Sequence, residues 1–130
     1  MAISEIVRVT KKRCYITVSV DNKFVWVKRS IEKGDYKEVE RIMKTGIAKI
    51  PTEDGNYYPA FTFTIEELSE IFEKNNIDII EKIGKTIFTS SQDINDEEKY
   101  RKHLEIELKY SNQDSFAGFG GHIAIVGKKN

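Results

Sequence analysis

Asp35-Tyr-Lys-Glu-Val-Glu-Arg-Ile-Met-Lys-Thr-Gly46 and Thr64-Ile-Glu-Glu-Leu-Ser-Glu-Ile-Phe-Glu-Lys-Asn75 align without a gap. Each opens on a capping residue, Asp35 or Thr64, with a glutamate three positions later, Glu38 or Glu67. That spacing is the capping box, in which the two side chains satisfy N–H groups that a first helical turn leaves without partners. Apolar residues then recur on one face: Tyr36, Val39, Ile42 and Met43, and Ile65, Leu68, Ile71 and Phe72. Each segment closes on a residue that tolerates the left-handed conformation, Gly46 or Asn75. The pattern predicts two amphipathic helices, each packed by one face.

Outward from these helices the chain reads as strands. Ile6–Thr10 alternates, and Lys11-Lys12-Arg13 makes a charged turn. Cys14–Val20 and Phe24–Arg29 flank Asp21-Asn22, a pair suited to a two-residue hairpin turn. In that register Ile16 and Val18 face Val27 and Val25 to form an apolar side. Tyr15, Thr17 and Ser19 face Lys28, Trp26 and Phe24 to form an aromatic–polar side, and a one-residue slip would mix the two. A second hairpin, Ile47–Thr52 and Tyr57–Phe63, turns at Asp54-Gly55, and Pro51 and Pro59 place it at a sheet edge.

Ile77–Ile80 and Lys85–Thr89 read as one long strand or a pair broken near Gly84. The acidic stretch 90–98 reads as a surface helix or a loop; Asn95 with Glu98 would cap the helix, and the i,i+4 pairs Glu97–Arg101 and Glu98–Lys102 support it. Leu104, Ile106, Leu108 and Tyr110 alternate with charges, which reads as a strand with one wet face. A glycine-rich loop, Ser111–Gly121, leads to a last strand, His122–Gly127.

The expected fold is a single α+β domain over residues 1–130. It has a mostly antiparallel sheet with the two main helices on one face. Two strand–helix–strand units suggest a ferredoxin-like core with extra strands. We take the repeated helix pattern as two similarly capped helices, not as shared ancestry. Residues Phe63–Ile80 resemble the helix-then-strand segment of ACT-type small-molecule sensor domains. The likeness covers 18 of the 130 residues and lacks the turn such domains use near their ligand. It implies a small-molecule sensor with a pocket between helices and sheet. The same segment loosely resembles the first helix of a helix-turn-helix, but the β-rich stretch begins too early, at Asn75-Asn76-Ile77.

Composition bounds the function. Twenty-one basic and 21 acidic residues cancel, which argues against a protein that coats nucleic acid by bulk charge. One cysteine excludes an intrachain disulfide and suits a reducing compartment. The N-terminus lacks the basic-then-apolar pattern of a secretory signal, and no apolar run is long enough for a bilayer. A cytoplasmic protein without membrane contact is expected.

The candidate partner-binding residues are Tyr15, Thr17, Phe24, Trp26 and Lys28 on the first hairpin, with Phe116 and Phe119 on the glycine loop. Exposed rings on a strand can stack bases or anchor a protein. Lys11, Lys12, Arg13, Arg29 and His122 are the candidate anion or nucleic-acid patch. The glycine loop precedes a strand and not a helix, so it lacks the context of a phosphate loop. Cys14 is read as a buried thiol on the apolar side.

No metal site is expected, because one cysteine, two separated histidines and the acids Asp93, Asp96, Glu97 and Glu98 form no ligand spacing. No cofactor is expected and the chain is read as a non-enzyme, with His122 the only acid–base candidate. The leading expectation is a small binding or regulatory protein that engages a protein partner, for example an inhibitor from a phage or mobile element. The alternatives are a nucleic-acid-binding module using the first hairpin and a small-molecule or nucleotide sensor.

Overall fold

The computed structural model describes residues 2–88 and 95–130. Within them the chain is α+β. Six helices, α1 (Ala2–Val9), α2 (Lys23–Glu32), α3 (Tyr36–Thr45), α4 (Ile65–Lys74), α5 (Glu97–Tyr110) and α6 (Asp114–Ala117), surround one sheet. Its strands are β1 (Tyr15–Asn22), β2 (Ile47–Pro51), β3 (Tyr57–Phe63), β4 (Ile77–Lys85) and β5 (His122–Lys129). They lie in the order β2-β3-β1-β5-β4. All neighbours run antiparallel except β1 and β3, which are parallel and touch only at Asp21–Thr62 and Asn22–Phe63.

The two capped helices form as their chemistry dictates. The Asp35 carboxylate accepts the Glu38 N–H at 3.1 Å, and Thr64 with Glu67 completes a full capping box. Gly46 ends α3 in the left-handed region at φ 71°, where its N–H reaches the Ile42 carbonyl. After α4 the left-handed residue is Asn76, not Asn75.

These helices do not share a face, which corrects the one-sided packing and with it the ferredoxin-like core. Leu68 and Phe72 of α4 pack with Ile16, Ile77, Ile123 and Ile125, joined by Ile3 of α1 and, partly, Phe63. Ile42 of α3 instead packs with Ala48, Ala60, Trp26 and Val27. Along β3 alternate residues point to opposite sides, so Phe63 and Ala60 lie on opposite faces. The helices α1 and α4 therefore cover one face, and α2 with α3 covers the other at the β2–β3 end.

Three strand expectations give way to helices. Residues 6–9 belong to α1, because Ile3 and Val7 are one turn apart and both meet the core. Residues 24–29 lie in α2. Asn22 does not turn a hairpin but caps this helix, its side chain accepting the Phe24 N–H at 3.0 Å. Residues 104–110 lie in α5, whose cap is Asp96 and not Asn95, the Asp96 carboxylate accepting the Lys99 N–H at 3.1 Å, and whose first turns carry the Glu97–Arg101 and Glu98–Lys102 pairs. The hairpin at 47–63 and the strand from His122 form as expected, with β2 at an edge. The strand from Ile77 forms but runs unbroken through Gly84 and ends at Lys85, so the strand expected over residues 85–89 is corrected: Thr86 takes a positive φ of 58°, which turns the chain out of the sheet. Thr89 and Asp93 lie outside the described residues. Cys14 is exposed and precedes β1, so the buried-thiol reading is also corrected.

Phe72 is fully buried at the centre of the larger core, whereas Leu108 on α5 is 76% exposed. Phe72→Ala is expected to cost about 3–5 kcal/mol and Leu108→Ala less than about 0.5 kcal/mol in denaturant unfolding. The turn of the second hairpin adds a pH test. The Thr52 hydroxyl, then the Asn56 backbone and side-chain N–H groups, hold the Asp54 carboxyl below its usual value. A lowered folded-state pKa means that the turn is fully stabilised above the ordinary aspartate value. That stabilisation is lost as pH falls through the folded value. The Asn56 amide resonance should titrate in that acid window, and Asp54→Asn should abolish the titration.

Candidate functional site

The most constrained polar group among the described residues is Asn22, where β1 ends. It is 1% exposed. While its side-chain oxygen caps α2, its Nδ2 donates to the carbonyls of Gly118 at 2.8 Å and Gly120 at 2.7 Å. One side chain thus ties the end of β1, the start of α2 and the glycine loop together. Phe24 and Phe119 meet as a result, edge to face at 5.4 Å between ring centres. They are 44% and 54% exposed and border a crevice of about 320 Å³ with Thr64, Glu66, Asp114 and Ser115. The crevice lies at the carboxyl ends of the parallel strands β1 and β3.

The glycine loop presents carbonyls, not N–H groups, to the end of β1. Its Gly118 and Gly120 carbonyls are turned onto Asn22, whereas an anion needs N–H groups. A Cβ at Gly120 would come within 2.5 Å of the Lys85 nitrogen and 2.6 Å of the His122 oxygen. Its glycines therefore serve close backbone packing. Phe116 folds back onto Phe88, edge to face at 5.7 Å.

The remaining predicted residues separate. Because residues 24–29 are helical, the aromatic–polar ribbon side of Tyr15, Thr17, Phe24, Trp26 and Lys28 does not exist. Tyr15 and Thr17 stay on β1 with their side chains exposed, Tyr15 under the Lys128 ammonium at 5.6 Å. Trp26 is partly buried against the α3–hairpin core, with the Arg29 guanidinium 5.9 Å from its ring, and Lys28 points to solvent. The anion patch is not one patch. Lys11, Lys12 and Arg13 form the exposed turn before β1, where the Arg13 N–H donates to the Lys129 carbonyl at 2.7 Å. His122 lies across from Asp21 at the other end of β1, roughly 20 Å along the strand. There His122 Nε2 is 3.0 Å from Asp21 Oδ1, and both are partly exposed.

Two further features escape a sequence reading. A cleft of about 650 Å³ lies between α2, α3 and the β2–β3 hairpin, walled by Trp26 and Tyr57 and ringed by lysines and arginines. The second is an open strand edge. Cys14 and Asn22 make backbone bonds to β5-side partners, Lys129 and Gly121. By the alternation of an antiparallel ladder, Ile16, Val18 and Val20 also bond toward β5. The N–H and C=O groups of Tyr15, Thr17 and Ser19 point the other way. Among the described residues no strand pairs with them, because β3 joins β1 only at Asp21 and Asn22.

No group of three or more histidine, cysteine or acidic side chains among the described residues is placed to hold a metal ion. No described helix is long and apolar enough to cross a membrane. Compared with known proteins, the chain matches no family model and no curated sequence.

Asn22→Ala removes the cap and leaves the two loop carbonyls without their donor. The expected loss is about 2–4 kcal/mol. Amide exchange at residues 118–121 should accelerate more than at β4. Asn22→Asp keeps the cap but sets a carboxylate against two carbonyls, so it should loosen the same loop while preserving the α2 start.

Proposed function

We propose that this chain is a binding module that engages a partner polypeptide by pairing an extended segment of it with the open edge of β1. The observation that carries the reading is the composition of that edge. Tyr15-Ile-Thr-Val-Ser-Val20 holds no charge and no proline, and it stands third of five in the sheet. The two outer strands are built differently. The strand β2 carries Lys49 and Pro51, and β4 carries Asp78, Glu81, Lys82 and Lys85. Charges and prolines are how proteins blunt edges that must stay unpaired. An edge without them, rich in β-branched residues, suits strand addition, in which main-chain bonds supply affinity and alternate side chains supply selectivity.

The occupant we favour is uncharged and rich in apolar residues, because the edge it pairs with carries Tyr15, Thr17 and Ser19 on one side and Ile16, Val18 and Val20 on the other, with no charge to answer. Such a partner is met in the cytoplasm, which suits the single exposed thiol, and the chain acts as a regulator by sequestering the segment. Phe24 and Phe119 extend the contact at the far end of the strand.

Native-state hydrogen exchange tests the reading. In the isolated chain the Thr17 and Ser19 amides should exchange far faster than those of Val18 and Val20, and a bound partner should erase the difference. Thr17→Pro removes an N–H from the open edge only. It should abolish partner capture from native lysate, treated with nuclease, while leaving thermal stability near the parent's. Equal protection of all four amides in the isolated monomer, or capture undiminished by Thr17→Pro, overturns the proposal.

A further inference from the structure

The cleft between α2–α3 and the β2–β3 hairpin is independent of the β1 edge. Its charge is lopsided in a chain whose net charge is zero. Five cations, Arg29, Lys33, Lys37, Arg41 and Lys49, line it against two carboxylates, Asp35 and Glu38. Both carboxylates are already engaged. Asp35 caps α3, and Glu38 accepts from the Arg41 guanidinium and from the Lys49 N–H at 3.2 Å. Arg41 is held in turn by the Ile47 carbonyl at 2.8 Å.

That leaves Arg29, Lys33, Lys37 and Lys49, and among the described residues no carboxylate pairs with any of them. Two of the four stand over aromatic rings: Arg29 over Trp26 at 5.9 Å and Lys49 over Tyr57 at 5.6 Å. Cations that find rings but no carboxylates remain available to an anion. The rings beneath them offer flat surfaces to a planar group.

We propose that this cleft binds the phosphate-and-base unit of a nucleotide, either a free nucleotide or one unit of a single-stranded nucleic acid. The cleft volume of about 650 Å³ is ample for one such unit. Phosphate oxygens sit among Lys33, Lys37 and Arg29, and the base lies against Tyr57 on the hairpin wall. Arg41 does not take part, because Glu38 and Ile47 hold it as a fixed strut between α3 and β2.

The molecule carries its own reporter, since Trp26 is the only tryptophan. ATP, AMP, pyrophosphate and a short oligouridylate are titrated at low salt while Trp26 emission is followed. ATP or the oligonucleotide should change the emission saturably, and added salt should weaken binding. Lys33→Ala and Lys37→Ala should each weaken it about tenfold, the scale of one lost charge-assisted hydrogen bond. Lys11→Ala and Lys12→Ala, on the separate basic turn, should not. Tighter binding of ATP assigns a free nucleotide, and tighter binding of the oligonucleotide with a steeper salt slope assigns a nucleic-acid strand. Absence of saturation at millimolar ATP, affinity unchanged by Lys33→Ala and Lys37→Ala, or pyrophosphate binding as tightly as ATP overturns the proposal.

Discussion

A buried amide side chain must find partners or cost the full penalty of its desolvation. Asn22 finds three, and they belong to segments far apart in the chain: the first turn of α2 and the carbonyls of Gly118 and Gly120, 96 and 98 residues away. The direction in which α2 leaves β1 follows from the cap. From that direction follows the seating of Trp26 and Val27 on the hairpin core, and with it the cleft that α2 shares with α3. The same side chain draws the glycine loop against β1 and sets Phe119 on Phe24. Both candidate surfaces beyond β1 therefore inherit their geometry from one residue.

Around this junction the molecule divides its apolar burial. The larger core lies under α1 and α4 across β1, β5 and β4, and the smaller lies between α2, α3 and the hairpin. Thr62 pairs with Asp21 of β1 across the seam, and its N–H and hydroxyl both donate to the Gly46 carbonyl at the end of α3, at 2.7 and 2.8 Å. The ion pair of Lys23 with Glu67 ties the start of α2 to the first turn of α4. These are polar links between two apolar units. Their directionality specifies how α2 and α4 begin, which packing alone leaves loose.

What could be read from residues alone was the chemistry that is local. Asp35 with Glu38 and Thr64 with Glu67 announce helices because the partners lie within one turn, and Asp54-Gly55 announces a hairpin for the same reason. Phe24–Arg29 was not legible. A run of β-branched and aromatic residues favours a strand, and the burial of Trp26 against Ala48 and Ala60 overrides that preference. Asn22 is as good a turn residue as a helix cap, so it did not arbitrate. In α5 the only buried residue is Glu107, so no apolar stripe of period 3.6 competes with the accidental alternation of Leu104, Ile106 and Leu108. Phe24 and Phe119 were both identifiable as exposed rings. Their meeting was not, because it depends on hydrogen bonds between residues nearly a hundred positions apart. The cleft was illegible for a similar reason, its cations coming from α2, the α2–α3 turn, α3 and β2.

A five-stranded sheet joined across its middle by two residue pairs is mechanically uneven. Seven registered positions bind β1 to β5, whereas only Asp21–Thr62 and Asn22–Phe63 bind it to β3. Tension across the sheet would unzip that short seam first and leave two cored halves still folded. Thermal breathing should follow the same line, giving separate cooperative units on either side of the seam.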